Sequence, residues 1–310
     1  MCIVFWTLRQ DPKDSEYTLV LAFNRDEYFE RPTVGFHLWE GSDIDIYAPK
    51  DLRPPIESYR GSWLGVNRHG RLAFLTNYRE QVYHHKETIS RGALVRDFLF
   101  SGSNPGDEAQ CKPADIMDYA QMVYKNRHKY DGFNLVLLDL RPGHTQAIYV
   151  TNRDPKTSSS VNVDMPEQGG LIKVLDTTGI AQGLSNSTIL DPWPKVLRGI
   201  DSFGHALESA NLDSEKDTLD AIAPVMKDSS PYSSSRLPQR LKDLEECIFV
   251  PQLEKPLSAN SEPGIYGTRT TDILLLRGNR LTIAEYNHDA ASISGDIPNE
   301  RKFSYFDISA

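Results

Sequence analysis

No uninterrupted apolar stretch in this 310-residue chain approaches the ~18 residues that a membrane-spanning helix needs. No transmembrane segment is therefore expected. The first residues also lack a basic region followed by a long apolar core and a small-residue cleavage site, so no secretory signal is read there. Asp11, Asp14 and Glu16 interrupt anything resembling an Arg-rich, acid-poor presequence. Cysteine is scarce. Cys2, Cys111 and Cys247 are scattered and odd in number, which argues against a disulfide framework and for a reducing, cytoplasmic setting. With no Cys-x-x-Cys pair and no His-Glu-x-x-His, no metal centre is expected. His84-His85 is the sole histidine cluster, and neighbours on an extended chain face opposite ways. Also missing are a Gly-x-Gly-x-x-Gly turn after a strand, a Walker loop and a Gly-x-Ser-x-Gly elbow. Positive charge is in deficit too. A net charge of -9 opposes approach to nucleic acid or anionic lipid. The basic run Lys125–Lys129 reads as a solvated helix end.

What is present begins at position 2. Cys2 follows the initiator methionine and leads into the apolar run Ile3-Val4-Phe5-Trp6. Loss of Met1 would leave a thiol and an α-amine on one residue, the minimal kit of an N-terminal nucleophile hydrolase. Reference pKa values of about 8.5 for the thiol and about 8 for the amine make proton transfer between them nearly isoenergetic. The plainer alternative is a small buried core residue.

Periodicity arranges the chain in blocks. Ile3–Thr7 and Tyr17–Phe23 read as strands, and Trp63–Val66 with Leu72–Thr76 as a hairpin. Two helices follow: one N-capped by Ser90 and running to about Phe100, the other opened by Pro113 with Ile116, Tyr119, Ala120 and Val123 on one face. Asn134–Asp139, Gln146–Thr151 and Leu171–Leu175 are strands again. Helices are then expected from Pro194 to about Leu212, from about Ser214 to Ala223 where Pro224 should stop or kink it, and over Pro238–Glu246. The strands Ile273–Leu276 and Leu281–Tyr286 close the series. This grouping departs from strict β-α alternation and suits antiparallel sheets with helices packed in blocks, in one domain over residues 1–310.

Four polar segments sit where apolar runs give out, which is where sites are commonly built. They are Asn24-Arg25-Asp26-Glu27, Thr76-Asn77-Tyr78-Arg79-Glu80, Gly183-Leu184-Ser185-Asn186-Ser187, and Tyr266-Gly267-Thr268-Arg269-Thr270-Thr271. Asparagine amides and arginine guanidinia donate hydrogen bonds and serve poorly as bases. If these segments converge on Cys2, its own amine is the obvious base.

Together with Arg31-Pro32, Trp63-Leu64-Gly65, Asp131-Gly132-Phe133-Asn134-Leu135 and Pro192-Trp193, these motifs give the chain a strong resemblance to the transport and Golgi organisation protein 2 family, also called the NRDE family. The resemblance runs from Cys2 to the terminal hairpin. More distantly the chain resembles the cysteine N-terminal nucleophile hydrolases that cleave bile-salt conjugates and penicillin V. That implies an α+β fold, an αββα four-layer sandwich of antiparallel sheets. It also implies roles. Cys2 would be the nucleophile, Arg25 and Asp26 would hold thiol and amine, Asn77 and Asn186 would shape the oxyanion hole, and Arg269 would support transition-state charge. The hydrolases separate their arginine and aspartate by two residues, whereas Arg25 and Asp26 are adjacent, so one is expected to face the site and the other to make a structural contact.

Two functions of different class follow from the resemblance. One is a thiol amidohydrolase or thioesterase acting on a small acyl amide or thioester, with no cofactor required. The other is a non-catalytic carrier of haem, acyl-CoA or lipid. Family members are linked to Golgi organisation, protein secretion, haem trafficking and lipid metabolism, which implies a cytoplasmic protein associated with Golgi or mitochondria. The expected partner is a small acyl or haem-like ligand and not nucleic acid.

Overall fold

A computed structural model describes residues 1–40, 44–80, 88–101, 115–154, 170–233, 235–254, 264–288 and 301–308. In chain order come strands β1 (Cys2–Leu8), β2 (Leu19–Tyr28), β3 (Thr33–Leu38), β4 (Ile46–Asp51), β5 (Leu64–Asn67) and β6 (Arg71–Asn77). Helices α1 (Gly92–Phe100) and α2 (Ile116–Lys125) follow, then strands β7 (Phe133–Asp139), β8 (Gln146–Thr151), β9 (Leu171–Val174) and β10 (Gln182–Leu184). Helices α3 (Pro194–Ser209) and α4 (Glu215–Met226) precede the last strands β11 (Tyr266–Arg277), β12 (Arg280–Asn287) and β13 (Arg301–Asp307). The fold is α+β, with two antiparallel sheets and four α-helices among the described residues.

The contacts divide the chain into two compact units, neither contiguous in sequence. One comprises Met1–Pro32, Thr178–Ser185 and Pro192–Tyr305; the other Thr33–Thr177, Asn186–Asp191 and Phe306–Ala310. The first unit is built on a sheet of order β10-β1-β2-β11-β12-β13. Alternate residues of its strands, Ile3 and Phe5, Val20 and Ala22, Ile273 and Leu275, point to one face and bury against Val196 and Phe203 of α3 and Leu219, Ile222 and Met226 of α4. Each of the larger of these buried side chains contributes about 1.5–3 kcal/mol, and Ala22 less. The second unit has a sheet of order β3-β4-β5-β6-β7-β8-β9. There Ala73, Leu75, Leu135, Leu137, Ile148 and Val150 pack against Leu94, Phe98 and Leu99 of α1 and Tyr119, Ala120 and Val123 of α2.

Several boundaries differ from the expectation. Asn24-Arg25-Asp26-Glu27 does not follow β2 but lies inside it, because both buried polar side chains of one face, Asn24 and Asp26, find hydrogen-bond partners within the fold. Similarly Tyr266–Thr271 lies inside β11. Ser90 does not cap α1; the capping position is Arg91 and no side chain bonds the first turn. Asp115 caps α2, accepting from Met117 N at 2.6 Å, while Pro113 lies outside the described residues. Pro194 opens α3 as expected. Pro224 does not stop α4, which runs on to Met226; the proline sits in the last turn, where it removes one backbone bond. Pro238–Glu246 holds only the 3₁₀ turn Leu241–Glu245.

Two glycines of the fold should respond oppositely to alanine. A Cβ on Gly61 would fall inside contact distance of the Gly92 carbonyl and 2.8 Å from Ala93 N, all rigid backbone. Gly61→Ala is expected to cost about 2–3 kcal/mol. Gly204, inside α3, has only Ala181 Cβ at 3.7 Å, so Gly204→Ala should stabilise by about 0.5–1 kcal/mol. Urea midpoints of the two variants check both signs.

Candidate functional site

β1 runs antiparallel to β2 with Cys2 opposite Arg25 and Ile3 opposite Asn24. One step earlier Met1 and Asp26 exchange both backbone bonds: Asp26 N donates to Met1 O at 2.6 Å, and the Met1 ammonium donates to Asp26 O at 2.7 Å. In such a ladder the next pair is not hydrogen-bonded and its side chains approach most closely. Cys2 and Arg25 therefore share a face at close quarters, opposite to the face carrying α3 and α4. The Cys2 carbonyl turns toward β10, where it accepts from Ser185 Oγ at 2.7 Å.

Successive residues of the tetrapeptide serve opposite faces. Asn24, on the helix face, donates through Nδ2 to Met226 O at 2.8 Å and Ile248 O at 3.1 Å, and accepts from Thr271 Oγ1 at 2.6 Å. Arg25 is buried on the Cys2 face, 4.0 Å from Glu27, whose carboxylate also pairs with Arg31 at 3.4 Å. Asp26 returns to the helix face. Its Oδ1 accepts from Thr268 Oγ1 at 2.7 Å, and that oxygen accepts in turn from Val250 N at 2.9 Å.

Charges tune the groups. Burial pushes the Cys2 thiol up; the Met1 ammonium, Arg25 and the Asp26 N–H pull it down without overcoming burial. Burial likewise raises Asp26 against the pull of the ammonium, Lys195 of α3 and Thr268. Glu27 is the reverse case. Burial raises it, but the ammonium, Arg31 and Arg25 together hold it below the usual carboxylate range.

Arg269 is the extra residue of a β-bulge. Thr268 pairs with Asp26 and Thr270 with Arg25, so Arg269 is left over directly across from the Arg25–Asp26 junction. Its guanidinium donates to Arg31 O at 2.6 Å and Tyr28 O at 3.2 Å and lies 5.8 Å from the Phe29 ring. In the second unit Asn77 ends β6, and Asn186 Nδ2 donates to its carbonyl at 2.6 Å, while Arg79 N donates to Asn186 O at 2.8 Å. The following residues are fixed by Asn134, which donates to Ser187 O at 2.9 Å and accepts from Tyr149 Oη at 2.6 Å. Thus Cys2, Arg25 and Asp26 meet on adjacent strands of the first unit, Arg269 lies one strand further, and Asn77 and Asn186 are joined within the second.

The sequence places Tyr266 in a polar segment without giving it a role, and it does not single out Asp272. The Tyr266 hydroxyl accepts from the Met1 ammonium, and its ring meets Tyr28 edge-on at 5.2 Å. Asp272, paired with Phe23 and Glu285, is a wholly buried carboxyl on the Cys2 face. Burial and the Glu285 charge push it well above the carboxylate range, against Thr270 and Arg25. The signal was available: the turn at Gly278-Asn279 sets a register that puts Glu285 opposite Asp272.

His288 gives this region a pH dependence. Thr271 Oγ1 spends its proton on Asn24, so it must accept from His288 Nε2 at 2.9 Å. That tautomer leaves Nδ1 buried without a partner among the described residues. Burial, with Lys227 nearby, lowers the imidazole pKa from 6.5 to about 4. The unfolded chain therefore binds a proton that the folded chain refuses, and stability falls as pH drops through that window, by about 3 kcal/mol. Urea titrations between pH 7 and 4 should show this slope, flattened in His288→Gln, which keeps an N–H for Thr271.

Among the described residues no group of three or more His, Cys, Asp or Glu could hold a metal, and no helix is long and apolar enough to cross a membrane. The family model described as Transport and Golgi organisation 2 matches residues 1–289. The mouse Transport and Golgi organization 2 homolog is 29% identical, covering 90% of each chain. The bovine homolog is 30% identical, covering 89% of this chain and 88% of its own. Among solved structures, penicillin V acylase from Agrobacterium tumefaciens is similar at a TM-score of 0.45 and 12% identity, over 99% of this chain and 86% of that one.

Proposed function

This chain belongs to the Transport and Golgi organisation 2 family, and we propose that it works there as a thiol hydrolase whose mature N-terminus is Cys2, acting on a small amide or thioester. The observation that supports this is the Cys2–Arg25 pair, a thiol and a guanidinium opposed at a non-hydrogen-bonded position beside a set of ammonium acceptors. With its thiol raised by burial, Cys2 is protonated near neutrality and needs a base. Its own amine, once Met1 is gone, is matched to the task. The sulfur attacks the carbonyl carbon and forms an S–C bond; the C–N or C–S bond breaks, and the leaving group takes the thiol proton by way of the amine. Water then hydrolyses the thioester to a carboxylic acid and regenerates the thiol. Arg25 would stabilise charge beside the sulfur. The names of the mouse and bovine relatives refer to transport and Golgi organization, and we carry that setting to this chain as part of the proposal.

Mass spectrometry of the purified protein should report loss of Met1. Iodoacetamide should then label Cys2 faster than Cys247, whose thiol burial pushes up to about 12. A panel of acyl amides and acyl thioesters should reveal turnover. Retained Met1, or an inert Cys2 with intact ligand binding, would instead mark a carrier.

A further inference from the structure

Two glycines of α3 differ in what requires them. A Cβ on Gly199 would overlap the Phe5 ring, so the close approach of α3 to β1 there demands glycine. A Cβ on Gly204 would meet only Ala181 Cβ, at an ordinary 3.7 Å. Glycine inside a helix costs stability relative to alanine, and no close packing within the chain offsets that cost at Gly204. What Gly204 does border is a cleft of about 540 Å³, a size suited to a small organic ligand. The cleft begins where α3 ceases to cover the sheet. Ile3 and Phe5 of β1 are buried under the helices, but Thr7, next on that face and paired with Val20, lines open space. Ile200 and Leu207 of α3 and Ala181 supply the rest of an apolar wall. This is the face of the sheet opposite to the Cys2 thiol, so nothing about the cleft depends on the hydrolase reading.

The rim of the cleft is acidic. Asp201 and Glu208 stand on one stripe of α3 with His205 between them, both exposed, and neither makes an ion pair among the described residues. Arg9, the one guanidinium on the wall, donates to Thr178 O at 3.4 Å. It also faces Glu16, whose carboxyl is held below its usual range by the Lys13 N–H and by Arg9. Arg9 and Glu16 thus answer each other, and the two α3 carboxylates are left to set the sign of the field in the cleft. We propose that this cleft is a binding site for an aliphatic amine, whose chain lies along Val20, Ile200 and Leu207 and whose ammonium is held by the carboxylates of α3. An acyl carboxylate of the same length would bring like charge against Asp201 and Glu208, and an alcohol would fill the apolar wall without the charge. Gly204 leaves the room that the chain of the ligand takes.

Calorimetry at low salt compares decylamine, 1-decanol and decanoate, which share one chain length, below the concentrations at which they aggregate. Decylamine should bind one to one and at least about 10-fold more tightly than decanoate, with 1-decanol between them. The double variant Asp201→Asn, Glu208→Gln should bring amine and carboxylate within about 3-fold of each other and leave 1-decanol unchanged. Gly204→Leu, which puts a good helix former where the cleft is open, should weaken all three probes about 10-fold. Cys2→Ala should bind decylamine as the unmutated chain does, because its thiol serves the other face of the sheet. Decanoate bound as tightly as decylamine, a preference that survives the double variant, or unaltered binding in Gly204→Leu would overturn the site. So would loss of binding in Cys2→Ala, or no one-to-one binding at all. Should Gly204→Leu fail to fold, the double variant, whose two positions are exposed, still decides.

Discussion

Turnover of any amide or thioester that the Cys2-initiated chain cleaves should fall by about 10⁴-fold or more in Cys2→Ala, because in the proposed reaction the sulfur is the one atom that bonds to the substrate carbon. Stability should move by less than about 1 kcal/mol. The residue retains some exposure, is no member of the cluster packed under α3 and α4, and keeps its backbone ladder and its Ser185 bond after truncation. Cys2→Ser is the sharper variant. It preserves volume and the hydrogen-bonding position, yet the hydroxyl is far harder to deprotonate, so the rate should still drop by about 10³-fold. Steady-state rates and urea midpoints on the same preparations give both numbers. A variant that folds and cleaves at the original rate would eliminate Cys2 as nucleophile.

Asn24→Leu should destabilise the first unit by about 4 kcal/mol, the largest loss expected from a single side chain of the tetrapeptide. Leucine has the same number and branching of side-chain heavy atoms as asparagine and a somewhat larger volume, so no cavity enters the sum. What is lost is one donor group serving two buried carbonyls, Met226 O at the end of α4 and Ile248 O, and one acceptor for Thr271. The carbonyls cannot reach water where they are, and each then bears most of its desolvation cost. Chemical denaturation should show the midpoint falling with an unchanged slope. A shift under about 1 kcal/mol would mean that solvent reaches both carbonyls, contrary to the full burial of Asn24.

The family and the fold class were legible because the strongest signals, long alternating runs and ordered motifs, are those least disturbed by tertiary context. β7, β8 and the hairpin of β5 and β6 fall almost where the pattern puts them. β3 and β4 were missed for physical reasons: β3 buries only one side chain fully, and β4 carries Pro49, which argues against a strand until the neighbours are known. β10 has three residues and shows no period at all. The extent of β2 was hidden more instructively. Asn24 and Asp26 look like solvent-facing residues, and only the carbonyls and threonines that arrive from elsewhere in the chain make them interior ones. Arg25 facing Cys2 while Asp26 makes a structural contact agrees with the alternation expected of adjacent strand residues. The segment of Tyr266 was legible but its role was not, because a tyrosine at a strand start has no feature of its own; its contact with the ammonium comes from residue 1.

The leftover residue in β11 has a consequence for how this segment can change over time. Asn24 and Asp26 are two apart, but the threonines that serve them, Thr271 and Thr268, are three apart. The bulge at Arg269 absorbs that mismatch, acting as a phase shifter between two stretches of strand. Trimming the Arg269 side chain leaves the count intact. Deleting the residue does not: every position on one side of it must then turn its side chain to the opposite face, carrying Thr268 away from Asp26 or Thr271 away from Asn24. The number of residues between these two threonines is thus under tighter constraint than the identity of the one in the middle, and a one-residue deletion there is a heavier lesion than any substitution of the arginine.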